Sequence, residues 1–428
     1  MKPPTCSTNC TKPSTPNDNH HNMPKNKRPV PRKSANSPEL KDEQNTTELC
    51  ALALDLSDGE FNNDIVADAT RADLAQKALE FQRLLRKLLN QGKDEVLYGA
   101  IELARDESVD GYRYLRNAVE EGAATVLLRR EGAPELEIDA FAIPVFVHSQ
   151  GGLDAAADFQ DGAAYEALLD SFTDAGLESP QAKVVLVSHA YDLEEIERVT
   201  YGQLHAMVRE AAQSLTEKKI AAAPALERSM AAGWSATAFG ADDSAVELRF
   251  LLGFSLKRAD DAFYKVPASE KAADAYFAKR AERYQKWTEQ YAPLVRRCLG
   301  RGRGAMPELT LNFLYQDLFF GAREQGQSEY ATLQMLSTLN QALAGRDPAL
   351  ADAVIAPSDV DDEMVLRVQL SADGAVLAAC DKPLDLGADL ALEVDDLRDA
   401  LASIGVTRVA VALRFDARGQ PVESKPLA

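Results

Sequence analysis

VELRFLLGFSLK, residues 246–257, alternates Val246, Leu248, Phe250, Leu252, Phe254 and Leu256 with mostly polar neighbours. Residues two apart on a strand share a face, so the pattern predicts a β-strand with one face buried and the other solvated. ELEIDAFAIPVFVHS at 135–149 repeats the alternation, with Phe141, Ile143, Val145 and Val147 on one face. Its Pro144 predicts an edge or a bend, because proline offers no N–H to a ladder. KVVLVSHAY at 183–191 follows a helical stretch at 164–175 and is a short, nearly continuous apolar run. That composition predicts a strand buried on both faces.

Before these strands the period changes from two to three and four. Leu74, Ala78, Phe81, Leu85 and Leu88 share one helical face, and Val96, Ala100 and Ala104 resume it after Gly92. The pattern predicts two or three antiparallel helices over 48–122. The last helix, 111–124, would turn Tyr112, Tyr114 and Ala118 inward, with Gly122 as its C-cap. Beyond 191 a long helix would carry Ile196, Val199, Met207, Val208 and Leu215.

A second mixed unit is expected from 306 to 428. LTLNFLYQDLFF at 309–320 is strand-like and precedes a helix near 328–344. MVLRVQL-SADG-AVLAAC at 364–380 is a hairpin with Asp373 and Gly374 in its turn. A helix at 388–403 follows, then VTRVAVALRF at 406–415, which alternates Val409, Val411, Leu413 and Phe415. Hairpins with interspersed helices, without regular βαβ repeats, define an α+β class. The expected order is a helical subdomain at 48–122, an α+β domain at 123–258, a connecting helix and loop at 259–305, and a C-terminal α+β domain.

The chain has 428 residues and a formal charge of −20. Residues 1–47 hold eight Lys or Arg against four Asp or Glu, so this stretch is +4 and residues 48–428 carry −24. Its Pro, Asn, Ser, Thr and Lys content predicts a disordered basic tail. An acidic body repels nucleic acid and anionic membranes over most of its surface. No run of about 18 apolar residues is present to span a bilayer, and no apolar core of a secretory signal follows Met1. Five scattered cysteines, an odd number, fit a reducing compartment better than a disulfide framework. A cytoplasmic location is the expectation.

Few motifs point to chemistry. Cys6 and Cys10 have zinc-pair spacing, but His20 and His21 are adjacent and would point apart on an extended chain, so a zinc site is the weaker reading. No motif implies a cofactor. His148 and His189 fall near predicted strand ends, where α/β folds often place reactive groups. With Ser149 and Asp192 they could supply base, nucleophile and orienting acid of a hydrolase-like site. GWSAT at 233–237 lacks the second glycine of a nucleophile elbow. LGRGRGA at 299–305 follows a helix and matches no phosphate loop. SDVDDE at 358–363 reads as a solvated acidic linker, its spacing unlike that of a calcium loop.

The charge anomaly lies at 271–303, where nine Lys or Arg face three acids in an otherwise acidic body. Phe277, Ala281, Tyr284, Trp287, Tyr291 and Leu294 form one helical stripe there, and Arg296, Arg297, Arg301 and Arg303 crowd its C-terminal end. Arginines beside glycine can clamp phosphate, and exposed aromatics can stack on bases. The competing reading makes the stripe core and its cations a neutralising bridge between acidic neighbours.

At AVELRFLLGFSLKRADDAFYKVPASE (245–270) and VLRVQLSADGAVLAACDKPL (365–384) the chain resembles an uncharacterised bacterial domain-of-unknown-function family of acidic cytoplasmic proteins. The resemblance implies a bacterial origin and assigns no activity or site residue. The expected function is therefore binding or scaffolding without catalysis, through a protein partner or an anionic ligand. RNA or other nucleic acid would be contacted through 271–303 or the basic tail, and no membrane is involved. A hydrolase with the strand-end histidines is the alternative.

Overall fold

A computed structural model describes residues 38–61, 68–149, 162–216, 237–238, 245–299, 309–314, 318–360, 363–386 and 388–427. Four helices come first: α1 (Pro38–Phe61), α2 (Asp68–Asn90), α3 (Asp94–Glu107) and α4 (Val109–Ala124). The expected tail is thus helical from Pro38, where a proline at the first helical position has its φ already set. Within α1, Leu49, Ala53 and Leu56 are buried. Helix α4 runs through Gly122 to Ala124 and is capped by Thr125, so Gly122 is no C-cap. Its missing side chain serves packing instead, since a Cβ there would lie 3.0 Å from Leu89 Cδ1. The buried stripe of α4 is Gly111, Leu115, Val119 and Ala123. Tyr114 is only half-buried, its ring 5.7 Å from Phe81.

The chain then builds a six-stranded antiparallel sheet from β1 (Thr125–Leu128), β2 (Leu136–Ser149), β3 (Lys183–Tyr191), β4 (Thr237–Ala238), β5 (Ala245–Arg258) and β6 (Leu309–Phe313). Strand β5 is central: β2 pairs along its whole length on one side, and β3 and β4 pair on the other. The remaining edge of β2 is shared by β1 and β6. Pro144 therefore sits in a doubly paired strand. It is tolerated because it lies between the stretches paired with β1 and β6, where its carbonyl accepts from Leu314 N at 3.0 Å and no donor is required of it.

Both faces of this sheet are covered. Leu248, Phe250, Phe254, Ile138 and Val185 pack on α1–α4, on α6 (Leu193–Glu197) and α7 (Tyr201–Thr216), and on the start of α9 (Phe319–Ala342). Phe141, Ile143, Val145, Leu186 and Leu251 pack on α5 (Gly162–Asp174) and α8 (Glu270–Leu299). The solvated face expected for β5 is therefore buried: Arg249 is 0% exposed and Glu247 5%, joined by a 3.3 Å ion pair. Alternation of polar and apolar residues usually marks a one-sided strand, and here the polar set pairs within itself. The long helix expected after 191 is broken into α6 and α7 by Thr200, whose hydroxyl accepts from Gln203 N while Gln203 Oε1 accepts from Thr200 N. This reciprocal pair is a capping box.

A second, five-stranded sheet has the order β13-β10-β7-β8-β9, from β7 (Asp352–Val360), β8 (Glu363–Ala372), β9 (Ala375–Pro383), β10 (Arg408–Val411) and β13 (Lys425–Pro426). Its pairs are antiparallel except β7 with β10, which α10 (Leu390–Ser403) precedes. A two-stranded ribbon, β11 (Arg414–Phe415) with β12 (Pro421–Val422), completes the chain. The β8–β9 turn holds Asp373 at φ 51° and Gly374 at φ 77°, the left-handed pair of a tight hairpin. The SDVDDE stretch is not a linker at its described ends, since Ser358 to Val360 belong to β7 and Glu363 opens β8, with Val360 opposite Glu363. Strand β6 belongs to the first sheet, so the second sheet begins at Asp352. Helix α9 serves both: Ala322 and Phe319 pack in the first core, and Met335 and Leu339 in the second.

Candidate functional site

Of the strand-end residues singled out by sequence, His148 and Asp192 have described side chains, and they stand on opposite sides of β5. His148, half-buried near the end of β2, stands opposite Val246 of β5 and Thr310 of β6. Asp192 lies past β3, with β5 running between it and His148. Its carboxylate accepts from Glu195 N at 2.8 Å and Glu195 accepts from Asp192 N, so it caps α6. The side chains of Ser149 and His189 are outside the described residues, as are Cys6, Cys10, His20, His21, Arg301, Arg303 and Gly233 to Ala236 of the GWSAT stretch. His205 Nδ1 donates to Gly122 O at 3.1 Å, and burial draws its pKa below the ordinary imidazole value. Among the described residues, no group of three or more His, Cys, Asp or Glu is placed to hold a metal. No helix among them is long and apolar enough to cross a membrane.

In the basic segment, Trp287, Tyr284, Val295 and Cys298 are buried while Phe277 is half exposed. Trp287 Nε1 donates to Ser171 Oγ at 2.8 Å, which ties α8 to α5. Arg280 and Arg283 donate to the carbonyls of Leu177 and Gly176, both at 3.1 Å, where α5 ends and leaves unsatisfied acceptors. Lys286 pairs with Glu282 one turn back. Arg296 is half-buried and Arg297 exposed.

A wide concavity among the described residues was not apparent in the sequence. A cleft of about 1100 Å³ is bounded by α4, α6, α9 and the β9–α10 connection. Tyr112, Arg116 and Glu120 recur every four residues on α4 and so share a face. Arg116 donates to Glu120 Oε1 at 3.0 Å, to Asp385 Oδ2 at 2.6 Å and to the Tyr112 hydroxyl at 3.1 Å, and pairs with Glu324. Burial lowers its pKa, but Glu120 and Asp385 outweigh that and leave the guanidinium firmly charged. One side chain thus joins helices α4 and α9 to the second sheet.

Farther along, Lys382 pairs with Glu393 at 2.7 Å and Gln327 donates to Glu197 at 2.6 Å. Burial raises the pKa of the nearby Glu329, against the pull of Lys382 and Gln325. Arg323 differs from these groups. Its guanidinium lies 4.9 Å over the Phe320 ring, and it has no ion-pair partner among the described residues. Among the described residues that line the cleft, Arg323 is therefore the cation without an ion-pair partner. Tyr112, Arg116 and Glu120 do form a readable stripe in the sequence, but only the tertiary fold brings Asp385 and Glu324 to it.

Comparison of the chain with protein-family models, with curated proteins and with solved structures finds no match.

Proposed function

We propose that the protein is a non-enzymatic binding or scaffolding protein of the cytoplasm whose cleft receives an extended segment of a protein partner, with a carboxylate of that segment on Arg323. The cleft's size and polarity carry this reading. Small-molecule sites are mostly apolar and span about 300–1000 Å³. This one is larger and is lined by Arg113, Arg116, Arg323, Lys382 and a comparable set of acids. Fixed charges of both signs favour recognition of a polar chain, because mismatched partners leave buried charges unpaired. An arginine already stacked on Phe320 loses little side-chain freedom when it engages a carboxylate.

The segment 271–303 supports an anion-contacting role less strongly, since Arg280 and Arg283 are used on backbone carbonyls inside the fold. Its candidates are Arg296, Arg297, Arg301 and Arg303. The test is affinity capture of partners by the intact protein, by Arg323→Glu and by the four-arginine Gln variant, with proteins and nucleic acids both identified. A protein lost only with Arg323→Glu supports the cleft reading. Loss confined to the four-arginine variant moves the interface to α8, and an identical partner set with all three overturns both.

A further inference from the structure

On the other side of the first sheet lies a smaller cavity of about 90 Å³, between β2, β5, the turn after α5 and helix α8. Its apolar wall includes Phe141, Ile143, Phe172 and Leu177. Its polar groups form an ordered network. Ser179 N donates to the Tyr264 hydroxyl at 3.0 Å, and that hydroxyl donates to Glu178 Oε2 at 2.6 Å. Ser255 Oγ donates to the same oxygen at 2.8 Å. Both bonds therefore end on Oε2, and Oε1 takes neither while Glu178 lines the cavity.

The charges around it are unevenly matched. Lys257 pairs with Asp139 and, at 3.2 Å, with Glu137, and its ammonium sits 4.3 Å from the centre of the Tyr264 ring. Arg280 is directed to the Leu177 carbonyl. Glu178 is half-buried, lines the cavity, and has no ion-pair partner within 4 Å among the described residues. A half-buried carboxylate held by two neutral hydroxyls has no counter-charge in direct contact with it. Burial raises its pKa accordingly, against the pull of Tyr264, Ser255, Arg280 and Lys257.

We infer that this cavity binds a small primary ammonium ligand with a short aliphatic body, its nitrogen on Glu178 Oε1 and its carbons against Phe141 and Phe172. An ammonium supplies both the missing charge and the donor, and the apolar wall accepts two or three methylenes. The volume suits a ligand of about four to six heavy atoms. A carboxylate-bearing ligand would meet both Glu178 and Asp139, which line the cavity. This inference is independent of the cleft, which lies on the opposite side of the sheet.

The probe is n-propylamine at pH 7.5, where it is an ammonium ion, with propionate and 1-propanol as controls, read by protein-detected NMR and calorimetry on the full chain. Saturable propylammonium binding near or below about 1 mM is expected, given the limited affinity of a four-atom ligand. It should weaken at least tenfold in Glu178→Gln. Leu318 also lines the cavity and is 66% exposed, so Leu318→Trp should obstruct the entrance without disturbing the core. That variant keeps the test decisive should Glu178→Gln fold poorly. Absence of saturable binding, equal binding by a folded Glu178→Gln, or tighter binding of propionate overturns the inference.

Discussion

Arg249 and Glu247 allow a sharp test of how the first sheet is held together. Both project from the central strand into the face packed on α5 and α8, and both are almost wholly buried. Burial pulls the Arg249 pKa down to about 9 even with Glu247 beside it, and raises that of Glu247. The charged guanidinium is therefore disfavoured in the fold relative to the unfolded chain, and Glu247 offsets only part of that cost. The sign is fixed by the direction of the shift: the unfolded chain holds the proton more tightly, so the penalty is complete below about pH 9.

Removing one partner leaves an uncompensated charge, and Arg249→Met should lower stability by about 3–5 kcal/mol. Replacing both, as Glu247→Leu with Arg249→Met, removes the desolvation cost as well. The double variant should come within about 1 kcal/mol of the parent or exceed its stability. Urea unfolding of the parent, both single variants and the double variant at pH 7.5 gives the complete cycle. If the double variant loses as much as Arg249→Met, the pair is a net stabiliser and the desolvation argument fails. A loss below about 1 kcal/mol for the single variant would refute it from the other side.

Two further outcomes follow from local geometry. A Cβ at Gly253 would stand 2.7 Å from Val185 O and 2.5 Å from Phe141 Cζ, and the carbonyl cannot withdraw without breaking the β3–β5 ladder. Gly253→Ala should therefore cost about 1–3 kcal/mol in urea unfolding, and a neutral substitution would show that β3 is loosely held. His205 is buried with a lowered pKa, so the unfolded chain binds its proton more readily and stability falls as pH drops below about 6.5. Between pH 7.5 and 5.5 the parent should lose more in melting temperature than His205→Gln, and parallel losses would exclude His205 as the titrating group.

Periodicity exposed most of the elements, because Phe250, Leu252 and Phe254 on β5 and Leu85 and Leu88 on α2 repeat with their backbone geometry. It could not show what lay opposite each face. Glu247, Arg249 and Lys257 read as solvated because a charge looks the same in sequence whether it faces water or a buried partner. Assignment of β6 to the second unit failed for a related reason: nearness in sequence favours its following helix, whereas its pairing partner β2 lies about 160 residues earlier. The cleft was illegible because Arg116 meets Asp385 across 269 residues. Asp192 and Glu195 stand three residues apart, the spacing of a capping box, and capping α6 is the role the structure gives Asp192.

Helix α9 has a consequence for how this chain can be divided. Its N-terminal half lies against Leu248 and Phe250, where a Cβ on Gly326 would come within 2.7 Å of Phe250 Cζ, and its C-terminal half carries Met335 and Leu339 into the second core. Any cut between the sheets must strip one core of part of its lining, whichever side keeps the helix. The two sheets are thus poor units for recombination or separate expression, even though each has a complete strand order. An evolutionary exchange of either one would have to carry half of the other's foundation with it.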